Sequence, residues 1–127
     1  MKDAVKAEGA PAPIGPYSQG VVATGRFLFV AGQTPKDPRT GGLPSGITAQ
    51  TERCLENVKA IVEAAGATMA DVVKVGAFLS DMGNFASFNE VYARYFGAPF
   101  PARTTVGAVL PGGAVLVEID AIVCLPR

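Results

Sequence analysis

Histidine and tryptophan are absent from this sequence, cysteine occurs only twice, and neither sign of charge prevails. Without histidine there can be no Ser-His-Asp triad, Cys-His pair, HExxH zinc site or unperturbed protonation switch near neutral pH. Any catalysis falls to arginine, carboxylates, tyrosine, serine or threonine, lysine, cysteine or backbone groups. The 11 basic and 11 acidic residues cancel, leaving no electrostatic footprint for nucleic acid or an anionic membrane. Cys54 and Cys124 form no CxxC pattern and lie among apolar neighbours. They read as two buried free thiols in a reducing cytosol, not as a metal cluster or redox pair. The opening MKDAVKAEGAP carries charges but no apolar signal region, and the uncharged stretch from Thr104 to Val117 is broken by Pro111-Gly112-Gly113. Neither suits export or a bilayer span, so the expected location is the cytoplasm. No phosphate loop, dinucleotide fingerprint or basic-aromatic array is present, and no metal or cofactor is expected.

What is present is a chain of 127 residues, 49% apolar and 17% charged, which suits a single domain over 1–127 with one real core. Gly9 to Pro16 is too rich in proline and glycine for regular structure. Val21 to Thr24, Gly25-Arg26 and Phe27 to Val30 read as a hairpin. Thr34 to Gly46 is marked by its prolines and glycines as a long surface loop. Helical spacing then places Ile47, Cys54, Leu55, Val58, Ile61, Val62 and Ala65 on one stripe, with Gly66 as the stop. Val72 to Leu79 alternates, with Val73, Val75, Ala77 and Leu79 wholly apolar. A second helix follows, capped by Asp81 or Asn84, with Phe85, Phe88, Val91, Tyr92, Tyr95 and Phe96 as its buried stripe.

Gly112-Gly113 is a two-residue turn signal. A hairpin closed there would oppose Pro111 and Ala114. Thr104, Val106, Ala108 and Leu110 would then share the helix-covered face with Val115, Val117, Ile119, Ala121 and Val123. The other face would carry Arg103, Thr105, Gly107 and Val109 beside Leu116, Glu118, Asp120 and Ile122. In that register Arg103 faces Ile122 and lies four rungs from Glu118 on the same side, roughly 13 Å of backbone. Gly107 would lie opposite Glu118 and leave room for a small molecule. Guanidinium suits a carboxylate fork, and a neighbouring carboxylate can orient water or move a proton. The alternative reading of the same pair is an ion pair at an interface. Tyr17 adds an aromatic hydroxyl, and Val30 to Pro35 ends a strand with a glycine where backbone could approach a ligand. The expected architecture is α+β: one mixed β-sheet, two helices on one face, and an open, half-apolar face covered by another copy of the chain.

The residues Gly15-Pro16-Tyr17-Ser18, Phe29-Val30-Ala31-Gly32-Gln33, Asn57-Val58, Phe88 to Tyr92, Phe100 to Val106 and Val117 to Ala121 together resemble the YjgF/RidA family, in order from about Gly15 to Val123. The resemblance implies a chorismate-mutase-like fold, a homotrimer and three clefts between neighbouring subunits. It implies cofactor-free hydrolytic deamination of enamines and imines, typified by 2-aminoacrylate, to a 2-oxo acid and ammonia. By position, Arg103 would bind the substrate carboxylate and Glu118 would place the water. Tyr17 would lend its hydroxyl, Gly32 and Thr105 backbone hydrogen bonds, Ala31 would line the substrate site, and Asn89 would border the cleft. Ala31 stands where many members carry serine, and Thr105 where many deaminating members carry cysteine. Two alternatives accompany this reading: a binding or regulatory protein for small carboxylates, and an endoribonuclease or translation inhibitor. Zero net charge, no histidine and no basic stripe argue against the latter.

Overall fold

Helix α1, Ile47–Ala64, forms where the apolar stripe was read, and it buries Cys54, Leu55, Val58 and Val62. Each enclosed aliphatic side chain contributes about 1.5–3 kcal/mol. Gly66 ends it at φ +83°, a conformation that disfavours any side chain. The Gly66 amide donates to the Glu63 carbonyl and the Ala67 amide to the Val62 carbonyl, so Val62 and Ala67 close the end apolar against apolar. Two polar residues of α1, Gln50 and Thr51, are also buried and were not expected there. Helix α2, Phe85–Tyr95, buries Phe88, Val91 and Tyr92, with Phe96 just beyond its end. Asp81 caps the short turn before it by accepting from the Gly83 amide at 2.8 Å, whereas Asn84 makes no side-chain cap.

The computed structural model describes residues 2–127. Six strands accompany the helices: β1 Lys2–Val5, β2 Gly20–Ala23, β3 Phe27–Gln33, β4 Val72–Leu79, β5 Ala102–Gly107 and β6 Val117–Cys124. Four of them form a mixed sheet in the order β3-β6-β4-β5. Strand β6 runs antiparallel to both β3 and β4, while β5 runs parallel to β4 with α2 in the crossover between them. Both helices pack on one face, and Val75, Ala77, Leu79, Val117, Ile119, Ala121 and Val123 point into the core beneath them. The α+β class therefore holds, as do the two free buried thiols. No helix among the described residues is long and apolar enough to cross a membrane.

Three expectations are overturned. First, β2 pairs with β1 in a separate two-stranded sheet, not with β3, so the hairpin across Gly25-Arg26 does not form and the sheet is not single. Second, β5 and β6 do not pair: β4 lies between them. The Gly112-Gly113 turn exists, with Gly112 at φ +94°, but it lies in the connection between two strands that are not neighbours in the sheet. Third, the parallel register sets Arg103 against Val75, Thr105 against Ala77 and Gly107 against Leu79. Those partners face the helices, so Arg103, Thr105 and Gly107 do too. Thr104 and Val106, expected in the core, are exposed on the other side.

The open face is thus built from Phe29 on β3, Glu118, Asp120 and Ile122 on β6, Lys74, Gly76 and Phe78 on β4, and Thr104 and Val106 on β5. Phe29 is 72% exposed and Val106 42%, so this side is half apolar as expected, although its β5 residues are Thr104 and Val106 and not Arg103, Thr105 and Gly107. Asp120 bends over Gly76 and accepts its amide hydrogen at 2.9 Å.

Candidate functional site

Arg103 enters β5 after Phe100-Pro101-Ala102, and the chain near the N-terminus is stitched to that point. Ser18 forms a parallel bridge with Ala102; its amide donates to the Pro101 carbonyl at 3.1 Å and its hydroxyl to the Phe100 carbonyl. Gln19 holds the preceding Pro-rich segment through the Ala7, Ala10 and Pro11 carbonyls. These contacts carry Tyr17 to Arg103 from a region with no regular structure of its own.

The guanidinium lies among four aromatic rings. Its carbon is 4.6 Å from the ring centre of Tyr92, 5.4 Å from Phe88, 5.5 Å from Tyr17 and 5.8 Å from Phe85. It is half-buried, and its Nη1 is buried with no hydrogen-bond partner among the described residues. Both ion pairs among those residues belong to Arg94, with Glu52 and Glu90. Burial holds the Arg103 guanidinium below its ordinary value, against the pull of the Tyr92 and Tyr17 phenols. Burial likewise pushes the Tyr92 phenol up, and the Arg103 charge opposes it. A desolvated cation with cation–π contacts and no carboxylate of its own can accept an anion at its N–H edge.

Thr105 stands two residues further along the same face, its hydroxyl oxygen buried without a partner among the described residues. Asn89, next to Phe88 on α2, has a buried Oδ1 with no partner among the described residues. Arg103, Tyr17, Thr105 and Asn89 therefore belong to the helix side of β5.

Glu118 does not join them. It pairs with Phe78 and points to the open face, so Arg103 and Glu118 lie on opposite sides of the sheet within one chain. Gly107 is not opposite Glu118; a Cβ there would meet Met82 at 3.3 Å. The glycine that makes room for Glu118 is Gly32: the carboxylate occupies the place a Cβ would take. Here β3 is irregular between Val30 and Gln33, which exposes Ala31 and Gly32. Ala31, Gly32 and Glu118 form a second group, on the open side.

Two further sets of residues shape the surroundings. Gln50 donates to the Pro44 and Ala114 carbonyls at 3.0 and 2.8 Å and accepts from the Leu116 amide at 2.8 Å, clasping the long loop to the segment before β6. Asn57 donates to the Thr34 and Lys36 carbonyls at 3.1 and 2.9 Å and holds the other end of that loop. Neither role has a sequence signal beyond a polar residue on an apolar stripe. Phe85, Phe88 and Tyr92 were read as core alone; their contact with Arg103 becomes visible only once β5 is known to face α2.

A family model described as endoribonuclease L-PSP matches residues 7–125. The chain is 54% identical over 123 residues to a RutC family protein of Pyrococcus horikoshii, covering 96% of this chain and 97% of that one. It is 43% identical over 125 residues to 2-iminobutanoate/2-iminopropanoate deaminase of Escherichia coli, covering 96% and 97%. Among solved structures it is similar to Escherichia coli TdcF with bound serine, at 39% identity and a TM-score of 0.76, covering 98% of this chain and 99% of that one.

Proposed function

The chain belongs to the YjgF/RidA family, and from that premise we propose that it is a cofactor-independent deaminase of small enamine and imine acids. The observation that carries this reading is Arg103: a half-buried guanidinium on four rings, with no carboxylate partner among the described residues. A planar, permanently charged fork of this kind suits a substrate carboxylate. Likeness to an imine deaminase, and to a relative holding an amino acid, supports a small carboxylate ligand.

The chemistry asks little of the protein, because such enamines tautomerise and hydrolyse unaided. 2-Aminoacrylate takes a proton at its methylene carbon and loses one from nitrogen, tautomerising to 2-iminopropanoate. Water adds to the C=N carbon, and the carbinolamine expels ammonia to leave pyruvate. Arg103 anchors the carboxylate, Glu118 places the water and handles its proton, and Tyr17 supplies a hydroxyl at the wall. Backbone groups at Ala31, Gly32 and Thr105 hydrogen-bond the ligand, with Asn89 at the border.

Because Arg103 and Glu118 occupy opposite sides of one sheet, they serve one small molecule only when supplied by different chains. A chorismate-mutase-like homotrimer with its open sheet faces turned inward meets that need. Each cleft then joins Arg103 of one subunit to Glu118 of the next. The half-apolar face with Phe29, Phe78, Ile122 and Val106 is what such packing would cover.

The test is ammonia release from enzymatically generated imines of several amino acids, with semicarbazide competing for the free imine. Acceleration over the unaided reaction is expected. Tight binding of pyruvate without acceleration would instead identify a sensor. The endoribonuclease description of the family model is opposed here by zero net charge and the absence of histidine.

A further inference from the structure

Tyr92 is fully enclosed, yet its hydroxyl has no hydrogen-bond partner among the described residues. Tyr95, on the same helix, shows the contrast: its hydroxyl donates to Glu56 at 2.7 Å. A buried phenol normally finds a partner, and an unpaired one costs stability. Packing alone therefore does not account for tyrosine at this position. What distinguishes Tyr92 is the guanidinium over its ring, nearer than to any of the other three rings.

The ring is itself immobilised. It packs against Phe88, with centres 5.6 Å apart, and against Phe96, with centres 4.5 Å apart and planes inclined by 31°. Ring electrons attract the cation toward the ring while leaving its N–H edge unused, and hydroxyl substitution keeps the ring electron-rich. A long arginine side chain has many rotamers, and a fixed ring selects among them without consuming a single N–H.

We propose that Tyr92 is the positioning residue for Arg103, its ring setting the plane in which the guanidinium fork meets a ligand carboxylate. This deepens the deaminase reading and rests on its carboxylate anchor, though not on turnover.

The experiment follows the Arg103 Nε–Hε resonance of the assembled protein by NMR while pyruvate is added as the probe. In the parent the resonance is expected to be displaced by ring currents and to move further as pyruvate binds. Tyr92→Leu should return it toward the free-arginine position and raise the pyruvate Kd about tenfold, with KM rising more than kcat falls. Tyr92→Phe, which keeps the ring but loses the hydroxyl's electron donation, should recover part of both effects and not all. Should Tyr92→Leu fail to fold, 3,5-difluorotyrosine at position 92 keeps the shape and withdraws ring electron density; a several-fold weaker affinity is expected. An Arg103 resonance indifferent to pyruvate in the parent overturns the carboxylate anchor, and this proposal with it. A parent that responds, alongside a folded Tyr92→Leu or fluorinated protein that binds pyruvate equally well, overturns the positioning role alone.

Discussion

Two inactive variants of this protein are expected to restore each other when mixed. Under the proposed function, Arg103→Ala would remove the carboxylate anchor and Glu118→Gln the group that handles the water's proton. Each alone should lose roughly a hundredfold or more in turnover. Arg103 faces α2 and Glu118 the opposite side of the sheet; under the proposed function one cleft would take them from two neighbouring chains. In a closed ring with heterologous contacts, every cleft uses the Arg103 of one chain and the Glu118 of the next. After random equimolar reassembly a cleft keeps an intact Arg103 half the time and an intact Glu118 half the time. About a quarter of the clefts are then fully intact, and about a quarter of parental activity should return. The variants would be mixed after mild dissociation, reassembled, and compared by ammonia release with each variant reassembled alone. Glu118→Gln should still assemble and still bind pyruvate, since the amide preserves shape. Mixtures no more active than their components, with mass spectrometry showing mixed assemblies, would refute the division of the site between chains.

Gly32→Ala is tolerable for the backbone, since Gly32 is not among the positive-φ glycines, but its methyl would displace the Glu118 carboxylate. Turnover should fall about tenfold to a hundredfold with pyruvate affinity little changed, read by parallel kinetics and calorimetry. Gln50→Leu would leave the Pro44 and Ala114 carbonyls and the Leu116 amide unpaired. Urea unfolding should show a loss of about 2–4 kcal/mol; a loss under about 0.5 kcal/mol would mean that water replaces the clasp. Burial, with the Glu118 charge adding to it, pushes the Cys54 thiol from 9.0 up to about 12. Its contribution to stability is complete below the unfolded value and is lost as pH rises from 9.0 toward about 12, because the unfolded thiol ionises first. Replacing Cys54 with alanine should flatten that part of the stability–pH curve.

The amphipathic pieces were legible because each carries its own periodicity. The Cys54-Leu55-Val58-Val62 stripe, the Gly66 stop and the alternation in β4 report burial directly, since one side of each element meets the core. The chemistry-bearing residues were legible as types: an arginine after Pro101-Ala102, a glutamate between Val117 and Ile119, a glycine near the end of β3. Strand β1 and the buried Gln50 were missed. Lys2–Val5 is four residues with little burial, and a glutamine in an apolar stripe does not reveal which backbone groups it will satisfy.

The sequence by itself determined the two helices, strands β4 and β6 with their faces, and the identity of the residues able to do chemistry. Tertiary structure alone decided the neighbour and face of β5. Ala102–Gly107 has no clean alternation, because an edge strand is held by one neighbour and partly solvated. The turn signal at Gly112-Gly113 offered a local partner, β6. The parallel pairing with β4 through the α2 crossover took precedence, because it seats β6 centrally with Val117, Ile119, Ala121 and Val123 all enclosed. That choice turns Arg103 beneath the aromatic stripe of α2 and leaves Glu118 on the other side, and both outcomes depend on contacts between residues far apart in the chain.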